Sequence, residues 1–123
     1  MPLHYSITPD ELWRSIATPD APVIVDVRRP EVVAESNAML PGSVLRDPHD
    51  ASSWALDGRP GTIVIACLHG HQRSQMAVAY LRARGLDARV LEGGYDAWHA
   101  AGLPVIDLPL EEAFRLDLGF QLS

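Results

Sequence analysis

Cys67-Leu68-His69-Gly70-His71-Gln72-Arg73-Ser74 joins an apolar run, Thr62-Ile63-Val64-Ile65-Ala66, to a segment with helical patterning, Gln75-Met76-Ala77-Val78-Ala79-Tyr80-Leu81-Arg82-Ala83-Arg84. The run before the cysteine is short, β-branched and apolar throughout, which suits a strand covered on both faces. The three pieces together predict a strand, a loop and a helix in succession. Such a unit points successive backbone N–H groups and the positive end of the helix dipole at whatever the loop holds. Here the loop begins with the only cysteine of the chain and carries Arg73 six residues later. That setting keeps a thiolate ionised and binds an anion beside it. A lone cysteine in a small domain is most often a buried structural residue; its place between this strand, Gly70 and Arg73 favours a nucleophile instead.

Outward from the loop, strands and helices alternate. Thr8-Pro9-Asp10-Glu11 reads as a helix start, with Thr8 as N-cap, Pro9 at the first helical position and Glu11 completing a capping box. Leu12, Trp13 and Ile16 are expected to form its buried stripe, and the helix to end near Thr18-Pro19. Val23-Ile24-Val25-Asp26-Val27 reads as a central parallel strand. Residues 31–38 suggest a short helix, broken before Pro41-Gly42, and Ser43-Val44-Leu45 a weak strand. The segment 47–60 is polar and turn-rich, with Trp54 anchoring a short helix. After the cysteine loop, the helix is expected to end at Gly85. Ala88-Arg89-Val90-Leu91 reads as a strand, and Gly93-Gly94 as a turn into a helix over 95–101. This alternation predicts an α/β fold: an open, mainly parallel sheet with helices on both faces. Ligands of such sheets sit beyond the carboxyl ends of the strands, where Cys67 falls.

Composition narrows the setting. With 123 residues the chain can bury a core as one domain without disulfides or metals. Ten basic against sixteen acidic residues give a formal charge of −6, which argues against a general nucleic-acid or anionic-membrane surface. A site for a small anion on this acidic body has to be locally positive, as N–H groups plus one arginine would make it. One cysteine excludes an internal disulfide and a cysteine-rich metal site. An exposed reactive thiol implies a reducing compartment. No apolar run approaches the roughly 18 residues of a membrane span, and Met1-Pro2-Leu3-His4-Tyr5 lacks the regions of a signal peptide. The expected setting is soluble and cytoplasmic.

Four stretches acquire a joint meaning in their order and spacing: Val25-Asp26-Val27-Arg28 with Pro30-Glu31, then Leu40-Pro41-Gly42-Ser43, then the Cys67 loop, then Glu92-Gly93-Gly94-Tyr95-Asp96-Ala97-Trp98 with Gly102-Leu103-Pro104-Val105. Across roughly residues 5 to 106 the chain resembles a single-domain rhodanese. The histidine often found just before the proline–glycine turn of that family is absent. The resemblance implies a rhodanese-like domain over 1–106 and a persulfide-forming sulfurtransferase. In that reading Cys67 is the nucleophile, and Leu68, His69, Gly70, His71, Gln72, Arg73 and Ser74 hold the substrate. Asp26 and Arg28 fix the floor of the site from behind. The implied partners are a small anionic sulfur donor, such as thiosulfate, and a thiol or cyanide acceptor, with no cofactor and no metal.

The loop departs from the family pattern. Typical members resemble Cys-x-x-Gly-x-Arg-Ser, whereas this chain has Cys67-x-x-Gly70-x-x-Arg73-Ser74, one residue longer. That interval resembles the Cys-x5-Arg cradle of cysteine-dependent phosphatases and of rhodanese-fold relatives acting on phosphate esters or arsenate. A persulfide needs room for one extra sulfur, whereas a tetrahedral oxyanion needs a wider ring of N–H donors and a bidentate arginine. Against this, phosphoester cleavage needs a proton donor above the cradle, and no segment announces one. The resemblance implies that Glu92 and Asp96 lie near the site, although Asp96 also stands where a helix N-cap carboxylate is expected. His69 and His71 are either donors or a source of positive potential in the loop. Sulfur transfer is therefore the first reading. Oxyanion chemistry and a non-catalytic binding domain are the alternatives. His69 and His71 read as exposed loop residues rather than metal ligands. Residues 107–123 read as a helical extension, from Pro109-Leu110-Glu111-Glu112-Ala113-Phe114 onward, packed on the same domain. The alternative is a helix swapped onto a second copy, so the expected state is a monomer or a homodimer.

Overall fold

The computed structural model describes residues 5–54, 56, 60–70 and 72–107. In chain order the elements are β1 (Ser6–Ile7), α1 (Pro9–Ile16), β2 (Val23–Asp26), α2 (Pro30–Ser36), β3 (Ala38–Met39), β4 (Val44–Leu45), a 3₁₀ helix (Pro48–Ser53), β5 (Thr62–Ala66), α3 (Gln72–Ala83), β6 (Asp87–Leu91), α4 (Gly94–Ala100) and β7 (Ile106–Asp107). Five strands form one parallel sheet in the order β1-β6-β5-β2-β4. The mainly parallel α/β sheet expected from the alternation is thus present. β3 and β7 pair antiparallel as a separate two-stranded ribbon.

The two-residue period of the strands sorts the core into two layers. Ile63 and Ile65 of β5 join Val25, Val27 and Val90, and pack with Ala77, Val78 and Leu81 of α3. Val64 and Ala66 point the other way, joining Ile24 and Leu91 against Leu12 of α1 and Tyr95 and Trp98 of α4. Helices therefore cover both faces of the sheet. Cys67 continues the odd-numbered series of β5 and belongs to the α3 layer. The middle strand thus delivers the thiol to the layer where α3 begins.

α1 has the capping box read from Thr8 and Glu11: Thr8 Oγ1 accepts from Glu11 N at 3.1 Å and Glu11 Oε1 accepts from Thr8 N at 3.0 Å. The Thr8 backbone N–H, more than the other groups nearby, holds the Glu11 carboxyl below its ordinary value. The buried stripe is narrower than expected. Leu12 is fully buried, but Trp13 is 39% exposed and lies edge-on to Trp98, with ring centroids 6.2 Å apart. Trp13 covers Trp98 rather than entering the core. Trp98 is fully buried, and its Nε1 donates to Pro104 O at 2.8 Å. Trp54 closes the 3₁₀ helix and packs on the α3 layer.

Several boundaries move, most of them by one residue and three by more. α1 stops at Ile16. α2 stops at Ser36 because Asn37 takes a left-handed conformation, φ 55°, and Ala38 is already in β3. α3 starts at Gln72, three residues before the expected Gln75, so Arg73 and Ser74 belong to its first turn. No helix among the described residues is long and apolar enough to cross a membrane. The expected helical extension, beyond Asp107, lies outside the described residues.

Candidate active site

Cys67 stands one residue past the carboxyl end of β5 and is 5% exposed. Its Sγ accepts the backbone N–H of Gly70 at 3.0 Å and lies 3.2 Å from Ser74 Oγ. The sulfur therefore faces a loop N–H and a hydroxyl from the first turn of α3. Both are groups that stabilise negative charge on sulfur.

Arg73 is fixed from the neighbouring strand. β2 pairs with β5 in parallel register, and Val27, just past β2, donates its N–H to Ala66 O at 2.8 Å. The Val27 carbonyl then accepts Arg73 Nε at 2.8 Å. Anchored through Nε, the guanidinium borders a cavity of about 470 Å³ together with Cys67, Leu68, His69 and Gln72. A second cleft of about 590 Å³ shares Gln72 and Arg73 and is completed by Arg29, His49, Gln75 and Met76.

Three carbonyls of the loop, which would repel an anion, are occupied by donors from α3 and α4. Cys67 O accepts from Tyr95 N at 2.8 Å and Leu68 O from Asp96 N at 3.0 Å. Gly70 O accepts from Gln75 Nε2 at 3.1 Å. The first turn of α4 thus lies directly on the loop backbone, which requires glycine at its start. Gly94 has φ +61°, and a Cβ there would stand 2.3 Å from Cys67 O. Gly70 is equally constrained from the other side, since a Cβ on it would meet Gly93 N at 2.9 Å.

Asp26 and Arg28 do not reach the cavity lining. They form a fully buried ion pair, Nη2 to Oδ2 2.7 Å, and Arg28 also donates to Ser36 Oγ at 3.1 Å and Ala38 O at 2.8 Å. The guanidinium lies 4.0 Å from the ring centroid of Tyr95. One buried cation therefore ties the end of β2 to α2, β3 and the helix that holds the loop. A buried pair is sustainable here because every charge is hydrogen-bonded.

Asp47 contributes a negative charge near Arg73. Its carboxyl is held below the ordinary value chiefly by the His49 backbone N–H, with the His49 side chain and Arg73 acting in the same direction against the cost of burial. A carboxyl depressed in the folded state contributes stability above its unfolded value, and that contribution disappears as pH falls through the folded value. Thermal melting followed from pH 5 downward is expected to show a loss below about pH 3.8 that is smaller in Asp47→Asn.

Among the described residues, no three His, Cys, Asp or Glu side chains converge as a metal site would require. The model for the rhodanese-like domain family matches residues 8–101. The chain belongs to this family. A rhodanese-like domain protein from Staphylococcus aureus is 34% identical, with a TM-score of 0.66 and a match covering 76% of this chain and 90% of that one. A rhodanese-related protein from Thermoplasma volcanium is 28% identical, with a TM-score of 0.71, covering 84% and 98%. A Rhodopseudomonas palustris protein of unknown function, described as a possible tyrosine phosphatase, is 26% identical, with a TM-score of 0.69, covering 83% and 84%.

In this rhodanese-like domain, Cys67, Leu68, His69, Gln72 and Arg73 border one cavity, while Gly70 and Ser74 contact the sulfur. His71 lies outside the described residues. Three participants had not been singled out: the Val27 carbonyl, the Gln75 amide and the Asp47–His49 pair. Asp96, expected near the site from the resemblance, has its Oδ2 2.8 Å from His69 Nδ1. The resemblance placed Glu92 and Asp96 near the site, but nothing in the Gly93-Gly94-Tyr95-Asp96 stretch alone indicates that its backbone N–H groups bond the carbonyls of the cysteine loop.

Proposed function

We propose that this rhodanese-like domain is a sulfurtransferase that passes a sulfane sulfur from an anionic donor, thiosulfate being the simplest, to a thiophilic acceptor through a persulfide on Cys67. The observation that carries this is one cavity lined by both Cys67 and Arg73, with the Gly70 N–H on the Cys67 sulfur and Arg73 anchored through Nε. The Cys67 thiolate attacks the outer sulfur of thiosulfate. The donor S–S bond breaks, and sulfite leaves with the electron pair. Arg73 holds the anionic donor, and the Gly70 N–H with the α3 dipole stabilises the thiolate and then the persulfide. The acceptor attacks the outer sulfur of the persulfide and releases the Cys67 thiolate, which gives ping-pong kinetics. The sulfur is transferred at the level it already has, so the cycle calls for no redox cofactor. A reducing compartment such as the cytoplasm suits the free thiolate.

Oxyanion chemistry is the second reading. The Cys67-to-Arg73 interval favours it, and the possible phosphatase named above lends it a relative. Purified protein offered thiosulfate with cyanide, an aryl phosphate, and arsenate with glutathione in parallel separates the two. Thiocyanate formation alone is the expected result. Turnover confined to phosphate or arsenate would replace the first reading with the second, and silence on all three would leave a binding domain.

A further inference from the structure

The chemistry above makes no use of the bond between His69 and Asp96. His69 Nδ1 lies 2.8 Å from Asp96 Oδ2, with the two side chains 56% and 54% exposed. Histidines this exposed are ordinarily free to reorient. This one faces a carboxylate on another element, in the first turn of α4. That turn is itself fastened to the loop, since Asp96 N donates to Leu68 O at 3.0 Å. His69 also borders the same cavity as Cys67. A carboxylate has no proton to offer, so the ring nitrogen that faces it, Nδ1, is the one favoured to carry the proton, which leaves the lone pair of the neutral ring on Nε2. An imidazole oriented this way is equipped to take a proton.

We infer that His69 is the general base that ionises a thiol acceptor and that Asp96 is its positioning residue, an inference that rests on the sulfur-transfer reading. Thiosulfate arrives as a dianion with no proton to lose, so the first half-reaction has no use for a base. A thiol arrives mostly protonated at neutral pH, with an ordinary value near ~8.5. In the second half-reaction the acceptor S–H proton moves to His69 Nε2 as the acceptor sulfur bonds the outer sulfur of the persulfide. The bond between that sulfur and Cys67 Sγ breaks, and its electron pair stays on Cys67 as thiolate. The imidazolium then returns the proton to the departing acceptor persulfide. Atoms and charge balance without an oxidant or reductant. The acceptor class this selects is a protonated thiol rather than an anionic nucleophile.

The test separates the half-reactions. Wild type, His69→Gln and Asp96→Asn are loaded with thiosulfate and desalted, and the gain of one sulfur on Cys67 is verified by mass. Loss of that sulfur is then followed with 2-mercaptoethanol and, separately, with sulfite at pH 8, where sulfite attacks as a dianion. With the thiol, discharge is expected to slow about 100-fold in His69→Gln and about tenfold in Asp96→Asn. With sulfite, Asp96→Asn is expected to stay within about twofold of wild type, and His69→Gln, whose side chain also borders the cavity, to slow about tenfold less than it does with the thiol. Equal slowing with both acceptors would mark a structural tie and overturn the inference. Unchanged discharge to the thiol, or loading lost only in the variants, would overturn it as well. Failure of the wild type to gain sulfur at all would instead remove the sulfur-transfer reading and this inference with it.

Discussion

Cys67→Ala is expected to abolish sulfur transfer while leaving the fold in place. No other cysteine exists in the chain to take over the nucleophile's part. The residual contribution of the cavity, the Gly70 N–H and Arg73 would bind donor without breaking its S–S bond. The loss should therefore lie in turnover, with donor affinity largely kept. Cys67→Ser sharpens the test. A serine oxygen still accepts the Gly70 N–H and meets Ser74 Oγ, which lie 3.0 and 3.2 Å from the present sulfur, so folding is little disturbed. A hydroxyl cannot form a persulfide, and this variant should be equally inactive. Thiocyanate production and the mass gain on residue 67 are the measurements; appreciable transfer by either variant would remove Cys67 from the centre of the mechanism.

Gly94→Ala is expected to have the second-largest effect, although residue 94 touches no substrate. A methyl group there would stand 2.3 Å from Cys67 O and 2.7 Å from Leu68 O. Either the loop or α4 must retreat, breaking the bonds from Tyr95 N and Asp96 N that hold the two loop carbonyls. A displacement of about 1 Å at a reacting group can cost on the order of 100-fold in rate. Overpacking adds a stability loss of about 1–3 kcal/mol. Gly102→Ala is the matched control: its φ is +72°, but a Cβ there meets nothing within 4 Å. That variant bears only the left-handed strain of roughly 1–2 kcal/mol and should keep full activity. Measuring kcat/KM and the unfolding midpoint for both isolates the clash. Equal activities would show that α4 does not position the loop.

The elements with a strong local signal were legible, and those held by distant partners were not. β5 and β2 announced themselves as β-branched runs, and α1 through its capping box. β1, β3 and β7 are two residues long each, too short for any period to register. β1 exists because Val90 and Leu91 offer it backbone partners, and β3 and β7 because Ala38 and Met39 pair with Asp107 and Ile106. The first turn of α3 was hidden for another reason: Gln72, Arg73 and Ser74 carry no apolar periodicity. Cys67 and Arg73 stood out because one strand–loop–helix unit contains both. The Val27 carbonyl, the Asp47 charge and the His69–Asp96 bond depend on which strands become neighbours, which spacing along one chain does not encode.

The sheet order also has a consequence for how the protein matures. β1 precedes the other described strands in the chain, yet it pairs with β6, through Ser6–Val90 and Ile7–Leu91. The carbonyls of Cys67 and Leu68 wait in the same way for Tyr95 and Asp96. Synthesis proceeds at roughly 5–20 residues per second. Until α4 has been made, the loop lacks the two bonds that hold its Cys67 and Leu68 carbonyls, and the thiol's surroundings are incomplete. Oxidative damage at Cys67 is then a hazard of the nascent chain as much as of the finished protein. Truncated products ending before α4 would carry the nucleophile without the means to shelter it.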